Sequence, residues 1–152
     1  MRVYADTSVF GGVFDEEFAE PSRRFLDRVR RGELTLVVSP QVLRELSLAP
    51  RTVQDLFDTI PESSLETVPV GSAVEALADA YLAAGVLGSG SRDDALHVAA
   101  ASVANADLIV SWNFRHIVNY GRIRKYGAVN VLHGYRPIEI RSPAELAYGD
   151  ET

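Results

Sequence analysis

The sequence predicts an α/β fold with a mostly parallel central sheet. Short apolar runs rich in β-branched residues alternate with longer stretches of helical period, an order of elements that is typical of βα units. The 152 residues are 47% hydrophobic and 24% charged, the composition of an ordinary folded domain. We therefore expect residues 1–152 to form a single domain built on this sheet.

Strands and helices are predicted in alternation along the chain. Apolar runs predict strands at Arg2–Ala5, Leu34–Val38, Leu65–Val70 and Leu108–Ser111, and a short strand around Ile138–Ile140. Proline and capping signals bound the helices between them. These helices are expected at Pro21–Arg31, from Ser39-Pro40 onward, at Thr52–Ile60, from a capping box of Ser72 and Glu75, at Arg92–Asn105, and near His116–Tyr126.

Composition excludes several classes of protein. Without cysteine there is no disulfide framework and no thiolate zinc site, so oxygen or imidazole ligands would have to hold any metal. The longest uncharged stretches, Ala80–Ser91 and Ala95–Ala106, are shorter than the about 20 residues that span a bilayer. Asp6 interrupts the first apolar run, so no leader for export is indicated. We expect a cytoplasmic protein without a membrane segment.

Charge is distributed unevenly. The chain carries a net charge of −6, which argues against binding nucleic acid by bulk charge alone. The segment from Trp112 to Arg141 is the exception, with six basic residues and one acid. The basic residues are Arg115, Arg122, Arg124, Lys125, Arg136 and Arg141, and the acid is Glu139. This segment is either a surface for an anionic partner or an ordinary solvated face, and charge alone does not distinguish the two.

Polar residues follow two of the predicted strands. Asp6 comes directly after the first strand, and Asn113 lies just past the fourth. In open α/β sheets the binding sites lie outside the carboxyl ends of the strands, so both residues are candidates for a functional site. A turn or a helix cap formed by Asp6 or Ser8 is the structural alternative.

Two further acids lie on predicted helices. Glu45 stands near the edge of the buried face of its helix, where a surface acid beside Gln41 is the alternative. Asp94 opens the fifth helix, where it is either part of a capping pattern or a carboxylate kept ionised by the helix dipole. His97 shares the face of Asp94, whereas Asp93 projects about 100° away and is expected to face solvent.

These pieces, in this order, resemble PIN-domain ribonucleases and, within them, the VapC-like toxins of type II toxin–antitoxin pairs. The matching segments are Val3–Ser8, Leu43–Leu46, Asp94–Ala99 and Leu108–Asn113. The resemblance implies a PIN-like α/β/α sandwich that cleaves RNA phosphodiester bonds with Mg²⁺ or Mn²⁺. It also implies a homodimer and a small antitoxin that inhibits the enzyme. By position, the metal-binding acids would be Asp6, Glu45 and Asp94.

Asn113 departs from the family pattern, in which aspartate is frequent. Its amide offers a neutral oxygen in place of a charged one, so the number of ions, one or two, stays open. Asp6, Glu45, Asp94 and Asn113 form the expected catalytic set. The alternative function is a catalytically weak RNA-binding or protein-interaction domain with the same fold. A phosphatase or DNA nuclease would use the same ions.

Several neighbours of this set are candidates for contact with substrate. Thr7 and Ser8 either hold a metal-bound water or cap loops, and His97 and His116 are either proton-transfer groups or structural histidines. Phosphate contacts are expected from Arg115, Arg122, Arg124 and Lys125. Aromatic residues interleave with these cations, which fits binding of single-stranded RNA, but the commoner fate of such rings is the core. We expect core positions for Trp112 and Phe114.

Overall fold

The computed structural model describes residues 1–147, which are built on one five-stranded sheet. The strands are β1 (Arg2–Ala5), β2 (Thr35–Val38), β3 (Leu65–Thr67), β4 (Leu108–Val110) and β5 (Glu139–Arg141). They lie in the order β3-β2-β1-β4-β5, and each neighbouring pair is parallel. The predicted α/β fold with a parallel sheet is confirmed.

Eight α-helices flank this sheet in the described part of the chain. They are α1 (Thr7–Gly12), α2 (Ala19–Arg30), α3 (Pro40–Ser47), α4 (Arg51–Asp58), α5 (Ser72–Ala83), α6 (Arg92–Val103), α7 (Tyr120–Leu132) and α8 (Pro143–Leu146). None of the helices within residues 1–147 combines the length and the apolar character needed to cross a bilayer.

Both faces of the sheet are covered. The consecutive β1 residues Val3, Tyr4 and Ala5 are all fully buried, although successive strand side chains point to opposite faces. Helix α5 packs on α6 and α7, while α1 contacts α2, α3 and α4. Helices therefore shield each face of the sheet, as the predicted three-layer sandwich requires.

The structure corrects several boundaries. The strand predicted to reach Val70 ends at Thr67, because Pro69 has no amide hydrogen for a ladder bond. The helix predicted near His116 begins instead at Tyr120, where the Asn119 side chain accepts a hydrogen bond from Arg122 N at 3.2 Å. Ser72 is the first residue of α5 rather than its cap.

Strand order places a crevice at the centre of the sheet. The chain leaves β1 toward β2 on one side, and β4 continues to β5 on the other. The loops that follow β1 and β4 therefore diverge, and this switch point is where open α/β sheets bind their ligands. The residues that directly follow these two strands should define the site.

The buried side-chain amide of Asn130 joins helix α7 to the rest of the fold. Asn130 on α7 donates from Nδ2 to Ser102 Oγ at 2.9 Å and to the carbonyl oxygen of Arg136 at 3.0 Å. Its Oδ1 accepts a hydrogen bond from the hydroxyl of Tyr81. Because these partners lie on α6, on the loop before β5 and on α5, one side chain connects four parts of the chain.

Replacing Asn130 with alanine should lower the free energy of unfolding by about 2 kcal/mol or more, because the substitution leaves buried polar partners unsatisfied. Urea unfolding measures this change. The control is Val131→Ala on the same helix, where the side chain is 59% exposed and the change should stay within about 0.5 kcal/mol. Equal losses in the two variants would contradict this role for Asn130.

At the amino end of the sheet, Arg2 binds the acids Glu66 and Asp107 and two backbone carbonyl oxygens. Its guanidinium donates to both carboxylate oxygens of Glu66 on β3, at 2.9 and 2.5 Å, and to the carbonyl oxygens of Ala104 and Asn105 at 3.0 and 3.1 Å. The backbone amide of Arg2 donates to Asp107 Oδ2 at 2.7 Å. The hydrogen bond to Arg2 holds the pKa of Glu66 below its usual range.

Glu66→Gln should therefore change how stability depends on pH. A carboxyl whose pKa is lowered by folding adds stability above its unfolded pKa of about 4.3, and this stability is lost as pH falls through the folded pKa. The side chains of Arg2 and Glu66 are both about a third exposed. We therefore expect Glu66→Gln to lower the free energy of unfolding by at most about 1 kcal/mol at neutral pH, and by nothing in acid. Urea unfolding at several pH values tests this, with the exposed Glu62→Gln as control. If the stability difference between Glu66→Gln and the parent protein does not change with pH, the ion pair of Arg2 and Glu66 does not contribute as proposed.

Candidate active site

Two neighbouring strands bring the first site residues together. Asp6 directly follows β1, and Ser111 directly follows β4. These strands pair in parallel, so the two side chains meet at the carboxyl edge of the sheet, where Ser111 Oγ donates to Asp6 Oδ2 at 2.8 Å. The site therefore begins at the switch point that the strand order predicts.

The Asp6 carboxylate is buried, with 4% of the residue exposed. Its Oδ1 accepts a hydrogen bond from Ser8 Oγ at 2.5 Å. Burial raises the pKa of Asp6, although the charge of His97 and the two hydroxyl donors favour the ionised form. Asp6 occupies the N-cap position of α1, but its side chain makes no capping hydrogen bond. Its carboxylate therefore faces the site rather than the helix end.

The two serines that contact Asp6 are oriented by the backbone. Ser8 Oγ accepts a hydrogen bond from the backbone N–H of Trp112, and Ser111 Oγ accepts one from the backbone N–H of Asn113, each at 2.9 Å. Both hydroxyl protons are then available to Asp6. Ser111 was not among the predicted site residues. The sequence feature that could have indicated Ser111 is its position as the polar residue directly after the apolar strand β4.

Glu45 reaches the site from α3. It accepts hydrogen bonds from Thr7 Oγ1 at 2.8 Å, Gln41 Nε2 at 3.0 Å and His97 Nε2 at 2.8 Å. Burial raises the pKa of this carboxyl, but the hydrogen bond to His97 and its charge outweigh burial, so the pKa of Glu45 is lowered overall. The predicted neighbour Gln41 is thus only one of three partners, and Glu45 faces the site rather than the surface.

His97 on α6 links the acids. Its Nδ1 lies 2.8 Å from the Tyr4 hydroxyl, which lies 2.8 Å from Ser39 Oγ. Burial opposes protonation of this imidazole, but the hydrogen bond to Glu45 and the charges of Asp6, Glu45 and Asp94 raise its pKa overall. His97 is therefore within electrostatic reach of all three acids, and it belongs to the site rather than to a purely apolar core.

Asp94 lies in the first turn of α6, on the other side of the site. Its Oδ1 accepts from Asn113 Nδ2 at 3.2 Å, and its Oδ2 accepts from His116 Nδ1 at 2.8 Å. The oxygen of the Asn113 amide accepts the backbone amide of His116 at 2.9 Å. Asp93 projects outward as expected, 65% exposed and 3.2 Å from Arg44.

The donor chemistry of this site suits a hard divalent cation, because carboxylate and amide oxygens are the ligands that Mg²⁺ and Mn²⁺ prefer. Each carboxylate is nevertheless held by its own neighbours. Within residues 1–147, no group of three or more His, Cys, Asp or Glu side chains is arranged so that it could hold a metal ion. The assignment of Asp6, Glu45 and Asp94 as ligands of one ion therefore stays a prediction.

The predicted substrate-binding residues fall into two groups. Thr7 and Ser8 lie inside the site, each donating to one acid. The basic residues lie outside the acid group, beside α7 or on it, at Arg115, Arg122, Arg124 and Lys125. Arg124 lies over the Tyr120 ring, and Arg122 Nε is buried without a hydrogen-bond partner among the residues that the structure describes.

Comparison with known proteins places this geometry in a family. A model of the PIN domain matches residues 3–118. The chain belongs to the PIN domain family. The resemblance inferred from the sequence is thus confirmed, and the acids that it singled out lie within the matched region.

A solved structure supports the same fold. A chain in the crystal structure of VapBC2 from Rickettsia felis bound to a DNA fragment from their promoter aligns with a TM-score of 0.59, covering 93% of this PIN domain chain and 98% of that chain. Sequence identity is 16%, so this likeness shows a shared fold. Among curated proteins, no significant match was found.

Ser111→Ala should destabilise the protein by about 2 kcal/mol. The substitution removes the hydrogen bond to the buried carboxylate of Asp6 and leaves the backbone N–H of Asn113 without its acceptor. Urea unfolding at neutral pH measures the loss. Ser72→Ala, at an exposed position on α5, is the matched control and should change stability by less than about 0.5 kcal/mol. If Ser111→Ala is as stable as this control, the serine does not support Asp6.

Proposed function

We propose that this PIN domain is a metal-dependent endoribonuclease that hydrolyses RNA phosphodiester bonds with Mg²⁺ or Mn²⁺. The observation that carries the proposal is the group of acids at the switch point of the sheet. Asp6 is buried there, and Glu45 and Asp94 lie with it in electrostatic reach of one histidine, His97. Burial keeps the pKa of Asp6 raised despite the charge of His97, and a bound cation would compensate this buried carboxylate more fully.

Asp6, Glu45 and Asp94 would hold the ion. When bound, such an ion polarises a phosphoryl oxygen and lowers the pKa of a coordinated water. No side chain of the protein then has to act as the nucleophile. This assignment uses the residues that supply hard oxygen ligands and leaves the serines and histidines to other tasks.

The chain's own residues orient these acids. Ser8 and Ser111 direct two hydroxyl protons at Asp6, and His97 holds Glu45 from the buried side. Asn113 and His116 hold Asp94 from the opposite side. Positioning of this kind keeps carboxylates in place for ligation, since partners of a ligand set its orientation. The basic residues beside α7 would contact the phosphates of the RNA strand.

We also propose that the protein is the toxin of a type II toxin–antitoxin pair, inhibited by a small antitoxin. Family membership and the likeness to a VapBC2 chain support this role. We propose a homodimer on the family resemblance alone, and a cytoplasmic location on the sequence patterns described above. A small neighbouring gene that encodes a DNA-binding protein would support the pairing.

Asp6→Asn, Glu45→Gln and Asp94→Asn should each reduce Mg²⁺-dependent cleavage of end-labelled RNA by at least about 100-fold, because each removes one proposed ligand. Asp93→Asn is the matched control, since this adjacent acid faces solvent and should leave the rate unchanged. EDTA should abolish cleavage by the parent protein.

Equal cleavage by the parent and by the variant that lacks all three acids would refute the enzyme assignment. A parent protein that binds RNA without cleaving it, with or without Mg²⁺ or Mn²⁺, would favour the catalytically weak binding domain instead. Cleavage of DNA but not RNA under the same conditions would assign the same site to another substrate.

A further inference from the structure

An aromatic cluster lies beside the acids. We name it the aromatic platform and define it as Phe18, Trp112 and Phe114. The Phe18 and Trp112 rings stack with centroids 4.1 Å apart and planes 18° apart. Phe114 meets the Trp112 ring edge-on at 6.0 Å and is 49% exposed, so the expectation that Phe114 lies in the core is wrong. Trp112 is only part-buried and lies outside the hydrophobic core, so the same expectation for Trp112 is also wrong.

The platform is held rigidly from below. Trp112 Nε1 donates to Ser22 Oγ on α2 at 2.8 Å. Gly12 lies against the same indole, where a Cβ atom would come within 2.7 Å of Trp112 Nε1 and 2.6 Å of Ser22 Oγ. Only glycine allows this approach without displacing the indole. The exposed ring of Phe114 therefore rests on a fixed base rather than on a mobile loop side chain.

The platform is joined directly to the acid group. The Trp112 amide donates to Ser8 Oγ, which in turn donates to Asp6. The next residue, Asn113, donates to Asp94. Phe114 thus follows the acid contacts by one residue, and the exposed Arg115 comes immediately after it.

We infer that Phe114 is a stacking surface for an unpaired nucleobase of the RNA strand next to the phosphate that lies at the acids. This inference rests on the proposed function. Stacking on an exposed aromatic ring beside cationic side chains is how proteins bind single strands with little sequence preference, because every base has a π face. The segment from Trp112 to Arg141, which carries Trp112 and Phe114, has a net positive charge that complements a phosphate chain, whereas Phe18 lies in the acidic stretch of residues 15–20.

Trp112 is the only tryptophan, so its fluorescence reports binding at the platform. The experiment titrates the full chain in Mg²⁺, which keeps the proposed ion at the acids, with a short single-stranded RNA of mixed sequence whose linkages are chemically protected against cleavage. We expect the RNA to quench Trp112 emission and Phe114→Ala to weaken binding on the order of tenfold, the usual effect of losing one stacked base. Phe114→Tyr keeps a flat ring and should restore the parent affinity.

An abasic oligonucleotide of the same length is the decisive control, because the parent and Phe114→Ala should bind it equally. Leu48→Ala, which alters an 84% exposed apolar side chain after α3, should bind RNA like the parent. Circular dichroism confirms that each variant is folded.

Unchanged RNA affinity in Phe114→Ala would overturn the inference. A loss that is equal for RNA and for the abasic chain would also overturn it, because no base would then be involved. The outcome is separable from the proposed function. Binding through Phe114 without any cleavage would refute only the nuclease, whereas cleavage with unaltered Phe114→Ala binding would refute only the stacking.

Discussion

The buried carboxylate of Asp6 is the constraint on which the rest of the site depends. It lies where β1 and β4 end side by side, and its nearest donors are two neutral hydroxyl groups. Hydroxyl donors reduce the cost of burying an anion but do not cancel its charge. Part of the remaining charge is compensated by His97, which also interacts electrostatically with Glu45 and Asp94. One buried charge therefore determines why a histidine and two serines surround it.

The acids at the two ends of the sheet have different kinds of hydrogen-bond partner. At the amino end, Arg2 gives Glu66 a bidentate guanidinium partner. At the carboxyl end, Asp6, Glu45 and Asp94 are held by hydroxyls, amides and imidazoles, none of which carries the permanent charge of a guanidinium. A guanidinium partner at these acids would compensate their charge as Arg2 does for Glu66. The partners observed here compensate less of that charge, which supports the proposal of an ion at this end.

Sequence patterns predicted the sheet because β1 and β4 are short apolar runs with clear boundaries, and the spacing of Asp6 placed it at a strand end. They did not predict Ser111 as a partner of Asp6, since that contact depends on two strands 105 residues apart becoming neighbours. Helix α1 was missed because Gly11 and Gly12 lower helix propensity, and Gly12 is explained only by the indole packed against it. Exposure of Phe114 likewise depends on tertiary placement rather than on residue type.

Asn113 shows how the acid group and the aromatic platform depend on each other. Its amide nitrogen donates to Asp94 while its oxygen accepts the backbone of His116, so one side chain closes the turn that carries Phe114 and braces the acid. An aspartate in the same place could accept from His116 but could not donate to Asp94, and two carboxylates would then repel each other. The neutral amide of Asn113 therefore lacks the charge of a carboxylate ligand, but its two hydrogen bonds fix the turn. Asn113, which orients Asp94, therefore lies directly before the exposed ring of Phe114 in the chain.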